Sequence, residues 1–357
     1  MGANQTSTVT DKPKLADVAR AAGVSVSTAS RALSGSKGIA PDTTQQVRQA
    51  ALTVGYPLRP TRLASACTHT LGILVANIAS PFFAALIEAI EDSALRQGYN
   101  IVLCNSAFQQ KRQAESLRLL TQKRVDGLIV VPVEAEDAYL PSLLGSGLPI
   151  VQVDRYVDNF RCDAVTSDNA RSAYQAMRFL IEQGYQRIGI LTGPHNQSAH
   201  RDRLKGCLEA LRDANRPVVD KYIKISGGNK ASGYQLISEL LDSPEKPDAV
   251  LTTSLEITTG ALLAIRDRGV VIPSDIGIVA FDEFEFASLL GPPLTTVEQQ
   301  VYEMGATAAD LLIRRIQGGA EPYEPVVIQL EARLIVRNST RPQDTGAFGQ
   351  ARYPDVK

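Results

Sequence analysis

Arg31 lies near the end of a predicted short helix, residues 26–33, whose other polar side chains are all small. Ser27, Thr28 and Ser30 supply hydroxyl groups along the same segment. An ordinary surface helix would instead be rich in Glu, Lys and Gln, which favour helix formation. Small hydroxyl side chains let a helix approach phosphates closely, and an arginine can donate two hydrogen bonds to O6 and N7 of guanine. These residue types predict a helix that contacts DNA.

Two further predicted helices would position this segment. Leu15, Val18, Ala19 and Ala22 recur at the spacing of one apolar helix face. Gly23 can adopt the positive φ that ends such a helix, and two short helices joined by a glycine-containing turn are typical of a helix-turn-helix. A third helix is expected from near Pro41, and its apolar face comprises Val47, Ala50, Ala51 and Val54.

Positive charge is concentrated in the same region of the chain. Residues 1–70 contain eight Lys or Arg against three Asp, whereas the whole chain has a net charge of −1. A basic head on an acidic body suggests that the head binds a polyanion. Chance segregation of solvated charges is the alternative.

The composition argues against several classes of enzyme. With three histidines and no CxxC among four cysteines, a metal site is not expected. The chain lacks the HExxH, GxxxxGK[ST] and GxSxG motifs, and no GxGxxG follows a predicted strand. We therefore predict a protein without a metal, a cofactor or a catalytic role.

The length of 357 residues, with 44% hydrophobic and 21% charged residues, is typical of a soluble globular protein with two or three domains. No window approaches eighteen consecutive apolar residues, so no membrane contact is expected. The N-terminal segment lacks the apolar core of a signal peptide, which predicts a cytoplasmic location.

From Leu71 onward, apolar runs of strand length alternate with helical patterns. The pattern restarts near Met177, and the helices of this second half are expected to begin near Met177, Arg203, Tyr234 and Gly260. Apolar strands with helical crossovers form parallel sheets that are covered on both faces. The fold class predicted is therefore a small all-α helix-turn-helix domain followed by two doubly wound α/β subdomains with parallel sheets. A ligand crevice is expected at the carboxyl ends of their strands.

Candidate ligand-binding residues follow four of these strands. Aromatic rings occur after the first strand at Phe82 and Phe83, carboxylates end two others at Asp154 and Asp282, and Arg203 follows a fourth. A carboxylate and an arginine can bind neighbouring hydroxyl groups, while a ring stacks on a sugar or base. Two alternatives remain: the phenylalanines could belong to the core, and Arg203 could form a structural ion pair with Asp282.

The segments LADVARAAGVSVSTASRALSG and IAPDTTQQVRQAALTVGY resemble the N-terminal domain of LacI/GalR-type transcriptional regulators. The resemblance extends from Leu15 to about Arg337. It implies a periplasmic-binding-protein type of sensor domain and a sequence-specific DNA-binding regulator, expected to be a repressor. It further implies a homodimer on a pseudo-palindromic operator, controlled by a small-molecule effector, with a sugar or sugar-derived metabolite favoured. A small-solute-binding protein and a sugar- or nucleoside-processing enzyme are the alternatives.

The resemblance assigns roles within the head. The residues expected to read bases are Val26, Ser27 and Arg31. The residues expected to contact phosphates are Ser25, Thr28 and Ser30, although Ser25 could equally serve as the N-cap of its helix.

The linker departs from the family pattern. Family members have a hinge helix whose leucine is inserted into the minor groove, which kinks the DNA. Leu63 and Ala64 match the hinge pattern and are expected to contact DNA, but the position of the inserted leucine falls on Cys67. Either Leu63 or Cys67 could take that role.

In the sensor domain, the resemblance implies effector contacts from Phe82, Phe83, Asp154, Arg203, Ser254 and Asp282. Ser254 and Leu255 replace an Asn-Asp pair that most members have, so this chain lacks one carboxylate of the usual sugar-binding set.

The predicted domain boundaries are a disordered N-terminus at 1–12, the helix-turn-helix domain at 13–58, a hinge linker at 59–70, an effector-binding and dimerisation domain at 71–337, and a polar tail at 338–357.

Overall fold

The computed structural model describes residues 13–33, 38–54, 56, 67–137, 139–144, 147–318 and 324–341. The predicted disordered N-terminus lies outside these residues, as do most of the hinge linker and most of the polar tail. Across the described residues, no helix has the length and apolar character needed to cross a bilayer.

The chain forms two compact units. Unit 1 comprises Met1–Ser167 and Val301–Leu330, and unit 2 comprises Asp168–Gln300 and Glu331–Lys357. The chain therefore passes between the units three times, after Ser167, after Gln300 and after Leu330.

The N-terminal part of unit 1 contains the three predicted helices, α1 (Leu15–Ala21), α2 (Val26–Leu33) and α3 (Pro41–Thr53). Small apolar side chains from all three helices form their common core. Gly23 has a φ of +63° between α1 and α2, as its predicted role at the helix end requires. Ala40 provides no side-chain cap for α3, whose first residue is Pro41. The predicted helix-turn-helix is thus confirmed.

Next along the chain, the elements of unit 1 are β1 (Thr70–Val75), α4 (Pro81–Arg96), β2 (Asn100–Asn105), α5 (Gln110–Gln122), β3 (Gly127–Val130), α6 (Tyr139–Leu144), β4 (Ile150–Val153) and β5 (Asp163–Ser167). Unit 2 then contains α7 (Asn169–Glu182), β6 (Ile188–Thr192), α8 (Ser198–Asp213), β7 (Ile223–Ile225), α9 (Lys230–Leu241), β8 (Ala249–Thr252), α10 (Leu255–Asp267), β9 (Gly277–Phe281) and β10 (Thr295–Glu298). The last elements are α11 (Val301–Gln317) and β11 (Val327–Leu330) in unit 1, and β12 (Arg333–Ile335) in unit 2.

Each unit contains one six-stranded sheet covered by helices on both faces. In unit 1 the strand order is β11-β5-β4-β3-β1-β2, and every pair is parallel. Successive residues of β1 alternate between two cores: Ile73 packs on the side of α4 and α11, whereas Leu74 packs on the side of α5. The predicted doubly wound fold is confirmed for this unit.

Unit 2 has the strand order β12-β10-β9-β8-β6-β7. Its pairs are parallel except that β12 runs antiparallel to β10 at the edge. Ile190 and Leu191 of β6 likewise belong to separate cores on the two faces.

The predicted helix starts in the second half were placed too late. The helices α7, α8, α9 and α10 begin at Asn169, Ser198, Lys230 and Leu255. The first turns of α7, α8 and α9 contain mostly polar or small residues, so the apolar periodicity is weak there. As a result, Arg203 lies one turn inside α8, and Asn169 and Leu255 are the first residues of their helices.

Candidate operator-contact helix and effector site

Helix α2 buries one narrow face and exposes the residues predicted to read bases. Ala29 and Ala32 pack in the head core, whereas Ser27, Ser30 and Arg31 are exposed. Val26 is 49% exposed although it is apolar. The exposed surface of α2 therefore combines one apolar group, small hydroxyls and one guanidinium group.

Ser25 caps α2. Its Oγ accepts a hydrogen bond from the Thr28 backbone N–H at 3.0 Å, and it lies 2.8 Å from Thr28 Oγ1 and 2.9 Å from Ser27 Oγ. The alternative role predicted for Ser25, that of the N-cap of its helix, is therefore confirmed. The phosphate contacts expected of Ser25, Thr28 and Ser30 stay predictions.

The described part of the linker begins at Cys67, and the predicted hinge residues Leu63 and Ala64 lie outside the described residues. The Cys67 thiol donates to Asp126 Oδ2 at 2.8 Å, and the Thr68 backbone N–H donates to Asp126 Oδ1 at 3.1 Å. Burial raises the pKa of Tyr99. The nearby Cys67, whose Sγ lies 4.0 Å from the Tyr99 hydroxyl, raises it further. A Cys67 side chain that entered a DNA groove would have to leave these contacts.

In unit 1, the two phenylalanines differ in burial. Phe83 belongs to the core, whereas Phe82 is half-buried and packs edge-on against Phe83 with ring centroids 5.1 Å apart. Both lie in the first turn of α4, which follows β1. This placement favours the structural alternative for Phe83 and leaves an accessible face on Phe82.

Asp154 follows β4 directly and is buried. Its φ of +67° lies in the left-handed region, which is uncommon for a residue other than glycine and is found disproportionately at functional sites. Asp154 Oδ2 lies 3.3 Å from Nε of Arg155, whose guanidinium group sits 5.5 Å from the centroid of the Phe108 ring. Phe108 was missed from the sequence, because that residue is in a turn outside any periodic pattern.

Within unit 2, the structure brings Arg203 and Asp282 together. Arg203 is 3% exposed and Asp282 is 6% exposed, and Arg203 Nη2 lies 3.9 Å from Asp282 Oδ1. Asp282 directly follows β9, and the Arg203 guanidinium group sits 4.3 Å from the centroid of the Phe281 ring. The two side chains therefore lie together, as the sequence predicts, and their contact with an effector stays a prediction.

Neutral groups hold both charged side chains in place. Arg203 Nε donates to Asn169 Oδ1 at 2.7 Å, and Nη1 donates to the Thr253 carbonyl at 2.7 Å. Asp282 Oδ1 accepts a hydrogen bond from Gln299 Nε2. The roles of Asn169 and Gln299 were missed from the sequence, since one precedes the predicted helix and the other follows a strand without any motif.

Ser254 has a structural role at the end of β8. Its Oγ accepts a hydrogen bond from Ile257 N–H at 3.4 Å and caps α10. Leu255, the next residue, is also buried. The effector contact expected of Ser254 stays a prediction beside this observed role.

A buried hydroxyl–imidazole network lies next to Arg203. His200 Nδ1 is 2.9 Å from Thr253 Oγ1, which is 3.0 Å from Thr192 Oγ1. Gly193 permits this approach, because a Cβ at that position would come within 2.4 Å of the His200 ring. Within the described part of the chain, no group of three or more His, Cys, Asp or Glu side chains could hold a metal ion.

Two family models match the two parts of this architecture. Residues 14–57 match the bacterial regulatory proteins of the lacI family, and residues 68–338 match the periplasmic binding proteins and sugar binding domain of the LacI family. The chain belongs to the LacI family.

Relatives of this LacI-family chain cover nearly its whole length. It is 30% identical to the HTH-type transcriptional repressor PurR of Actinobacillus pleuropneumoniae serotype 3 (strain JL03) over 329 residues, 91% of this chain and 97% of the relative. It is 32% identical to catabolite control protein A of Priestia megaterium over 330 residues, 91% of this chain and 98% of the relative. A solved complex of the transcriptional regulator CelR with cellobiose is 32% identical, with a TM-score of 0.70, and the match covers 92% of this chain and 100% of that one.

This LacI-family member is a DNA-binding transcriptional regulator with an effector-binding domain, and it is not an enzyme. The match at 14–57 coincides with α1 to α3, which a solute-binding protein would not need. The alternatives of a solute-binding protein and of a sugar- or nucleoside-processing enzyme are therefore rejected.

Proposed function

We propose that this protein is a homodimeric repressor that binds a pseudo-palindromic operator through α2. A sugar or sugar-derived effector raises or lowers its affinity for that operator. The observation that carries the effector assignment is that the buried Arg203 and Asp282 side chains lie together beyond the carboxyl end of β9, 3.9 Å apart and without a hydrogen bond to each other. A regulator must be where its operator DNA is, which places the proposed site of action in the cytoplasm.

The exposed residues of α2 support direct base reading. Arg31 can bind guanine through two parallel hydrogen bonds, and the exposed Val26 side chain can contact a thymine methyl group. The hydroxyls of Ser27 and Ser30 add short polar contacts without keeping the backbone away from the groove. The hinge contacts of Leu63 and Ala64 complete the proposed interface.

The chemistry of the unit 2 site supports a neutral, hydroxyl-rich effector. Arg203 can donate to ring or hydroxyl oxygens, and Asp282 can accept from hydroxyl protons. A dianionic ligand would be repelled by the Asp282 carboxylate and would need additional cations. The relative CelR was solved with cellobiose, which is a ligand of this kind. Phe82, Asp154 and Ser254 are the further proposed contacts, and Phe83 supports Phe82 from the core.

Dimerisation is supported by the edge of the unit 1 sheet. Strand β2 is the last strand in the sheet order, and two apolar side chains on it, Val102 and Leu103, are exposed. A recognition helix of eight residues reads too few bases to find one genomic site, and a C₂ dimer doubles the sequence that is read. A second copy of this chain is the proposed occupant of this edge.

Thermal unfolding in the presence of candidate ligands tests the effector assignment. The panel contains cellobiose, other neutral sugars, sugar phosphates, organic acids and purines, each added to the full-length protein. A ligand present at about 100 times its Kd stabilises the folded state by about 2.7 kcal/mol, which is a measurable rise in Tm. Stabilisation by a neutral sugar, and its loss in Asp282→Asn, supports the proposal. Stabilisation by a sugar phosphate or a purine with no sugar active would overturn the effector class.

A further inference from the structure

A cavity of about 270 Å³ lies in unit 2, at the end of the sheet opposite to the proposed effector residues. Its lining includes Ile188 and Ile223, the first residues of β6 and β7. Ile181 and Leu211, near the ends of α7 and α8, also line it. Asp282 instead follows the carboxyl end of β9. Because parallel strands begin at one edge of a sheet and end at the other, the cavity is separate from the effector site.

The inner wall of this cavity is apolar and aromatic. Ile190, Leu211, Tyr185 and Tyr222 line it, and all four are buried. The Tyr185 hydroxyl accepts a hydrogen bond from the Arg341 backbone N–H at 2.9 Å, so its ring is the part that a ligand can contact. An apolar cavity of about 150 Å³ can hold benzene. The larger volume here has room for an aromatic ring and a short polar side chain.

Positive charge predominates on the same lining. Arg187, Arg216 and Lys221 are its cationic side chains and Glu245 is its acid, so three positive charges and one negative charge give a net charge of +2. Lys221 Nζ donates to Glu245 and lies 5.2 Å from the centroid of the Tyr222 ring. An excess of cations beside an apolar wall is complementary to a ligand that has an apolar body and one negative charge.

The two arginines could instead serve only the carboxyl-terminal ends of α7 and α8, where basic side chains are favourable. Their contacts argue against this alternative. Arg187 Nε donates to the Lys246 carbonyl at 2.8 Å, and Arg216 Nη1 donates to the Gln186 side chain. In the part of the chain that the structure describes, neither guanidinium group donates to a carbonyl of either helix. The Nη groups of Arg187 and Nη2 of Arg216 can therefore donate to a ligand.

We propose that this cavity is a second small-molecule site, which binds an aromatic monocarboxylate. The ring packs against Ile190, Leu211 and the two tyrosine rings. The carboxylate accepts charge-assisted hydrogen bonds from Arg187 and Arg216. A neutral sugar fits this lining less well, because Glu245 already accepts from Lys221 and the inner wall is apolar. The proposal does not depend on the effector assignment at Arg203 and Asp282.

Ligand-observed fluorine NMR on the full-length protein tests this site, with para-fluorophenylacetate as the probe. We expect saturable binding with a Kd of about 1 mM or lower, as for a small ligand of this size. The corresponding amide, para-fluorophenylacetamide, retains the body and removes the charge, so it should bind at least about tenfold more weakly. Acetate has the charge without the ring and should not displace the probe at equal concentration.

Two kinds of variant locate the probe. Arg187→Gln and Arg216→Gln should each raise its Kd by about tenfold, the effect of losing one charged hydrogen bond. Val219 is half-buried on the lining, and Val219→Phe places a ring in the cavity while retaining all three cations. This variant should remain folded, as its Tm reports, and should not bind the probe. Arg212→Gln removes the same charge from the last turn of α8, outside the lining, and is the matched control.

Several outcomes would contradict the proposal. Equal affinity for the acid and the amide, or unchanged binding in both arginine variants, would exclude a carboxylate site. Wild-type affinity in Val219→Phe would place the probe elsewhere, and loss of binding in Asp282→Asn would place it in the effector site. Binding only after removal of residues 342–357 would identify that segment of the chain as the occupant. Lack of saturation up to about 10 mM probe would exclude the site altogether.

Discussion

Arg203 Nη2 and Asp282 Oδ1 lie 3.9 Å apart, which is too far for a hydrogen bond although both side chains are buried. Each is instead bonded to a neutral amide, Arg203 to Asn169 and Asp282 to Gln299. The opposite charges still attract each other, but they do not form the bidentate hydrogen-bonded pair that makes an arginine–carboxylate interaction strongest. A ligand that carries both donors and acceptors can enter such an arrangement at a smaller cost than it could break a bidentate ion pair.

Asp282→Asn should abolish the effector response while leaving effector-free operator binding intact. The substitution retains the size and one acceptor oxygen but removes the charge that we propose accepts hydrogen bonds from the effector hydroxyls. Operator release is measured by gel shift over a titration with the sugar that stabilises the wild type. Asp267→Asn, an acid-to-amide change on the exposed end of α10, is the control and should respond normally. A wild-type response from Asp282→Asn would show that the carboxylate is a structural partner of Arg203 alone.

Arg31→Ala should weaken operator binding by about 1–3 kcal/mol and relax the preference at one base position. The reason is the loss of the bidentate contact to guanine that we propose for Arg31 on the exposed surface of α2. Affinities for the operator and for single-base variants are compared by gel-shift titration. Arg20→Ala removes the same charge from α1 and should lower affinity for all sequences alike. Unchanged operator affinity in Arg31→Ala would exclude Arg31 from base reading.

Footprinting should show a pseudo-palindromic operator, and Leu103→Glu should weaken binding by splitting the dimer. Leu103 is 40% exposed on the edge strand β2, and a buried unpaired glutamate at a dimer contact is unfavourable. Dimer mass is measured by light scattering. Leu119→Glu, on the exposed side of α5, is the matched control and should remain dimeric. A protected site without dyad symmetry, or a monomeric wild type at working concentration, would contradict the homodimer.

Gly206→Ala should destabilise unit 2 by about 1–3 kcal/mol or more, because it forces apart two tightly packed helices. A Cβ at Gly206 of α8 would lie 1.9 Å from the backbone oxygen of Ala170 in α7. The free energy of unfolding is obtained from urea titration. Gly227→Ala, where the added Cβ comes no closer than 3.5 Å to its neighbours, should be tolerated. Equal stability of both variants would mean that α7 and α8 can separate at little cost.

Much of the molecule follows from local sequence patterns. The apolar spacing of residues 15–22, with Gly23 and Ser25 after it, predicts α1, its end and the start of α2, and the structure confirms each of them. The apolar runs RIGILTG at residues 187–193 and DIGIVAF at residues 275–281 predict β6 and β9 as buried parallel strands, because both faces of such strands are apolar. These signals are local, so they require no knowledge of which distant segments meet.

Other features depend on contacts between residues that are far apart in the chain. Helix α11 and strand β11 return to unit 1 although they follow unit 2 in sequence, because their apolar faces complete the core and the edge of that sheet. No local pattern states which of two similar sheets a late strand will join. Likewise, the sequence placed Arg203 and Asp282 at strand ends, but the amides of Asn169 and Gln299 became visible as their partners only in three dimensions.

The amino-acid sequence by itself determined the elements, the helix-turn-helix and the residue types available at the strand ends, since these depend on spacings of 3.6 and 2 residues and on turn chemistry. The tertiary structure decided which polar groups share a site, because a buried charge takes whichever partners the packing brings within hydrogen-bond distance. Ser254 illustrates the difference: the resemblance assigned it to the effector site, and the structure shows that it caps α10 through the Ile257 N–H. For Ser25, the N-cap role was already one of the two roles predicted from the sequence, and the structure confirms it.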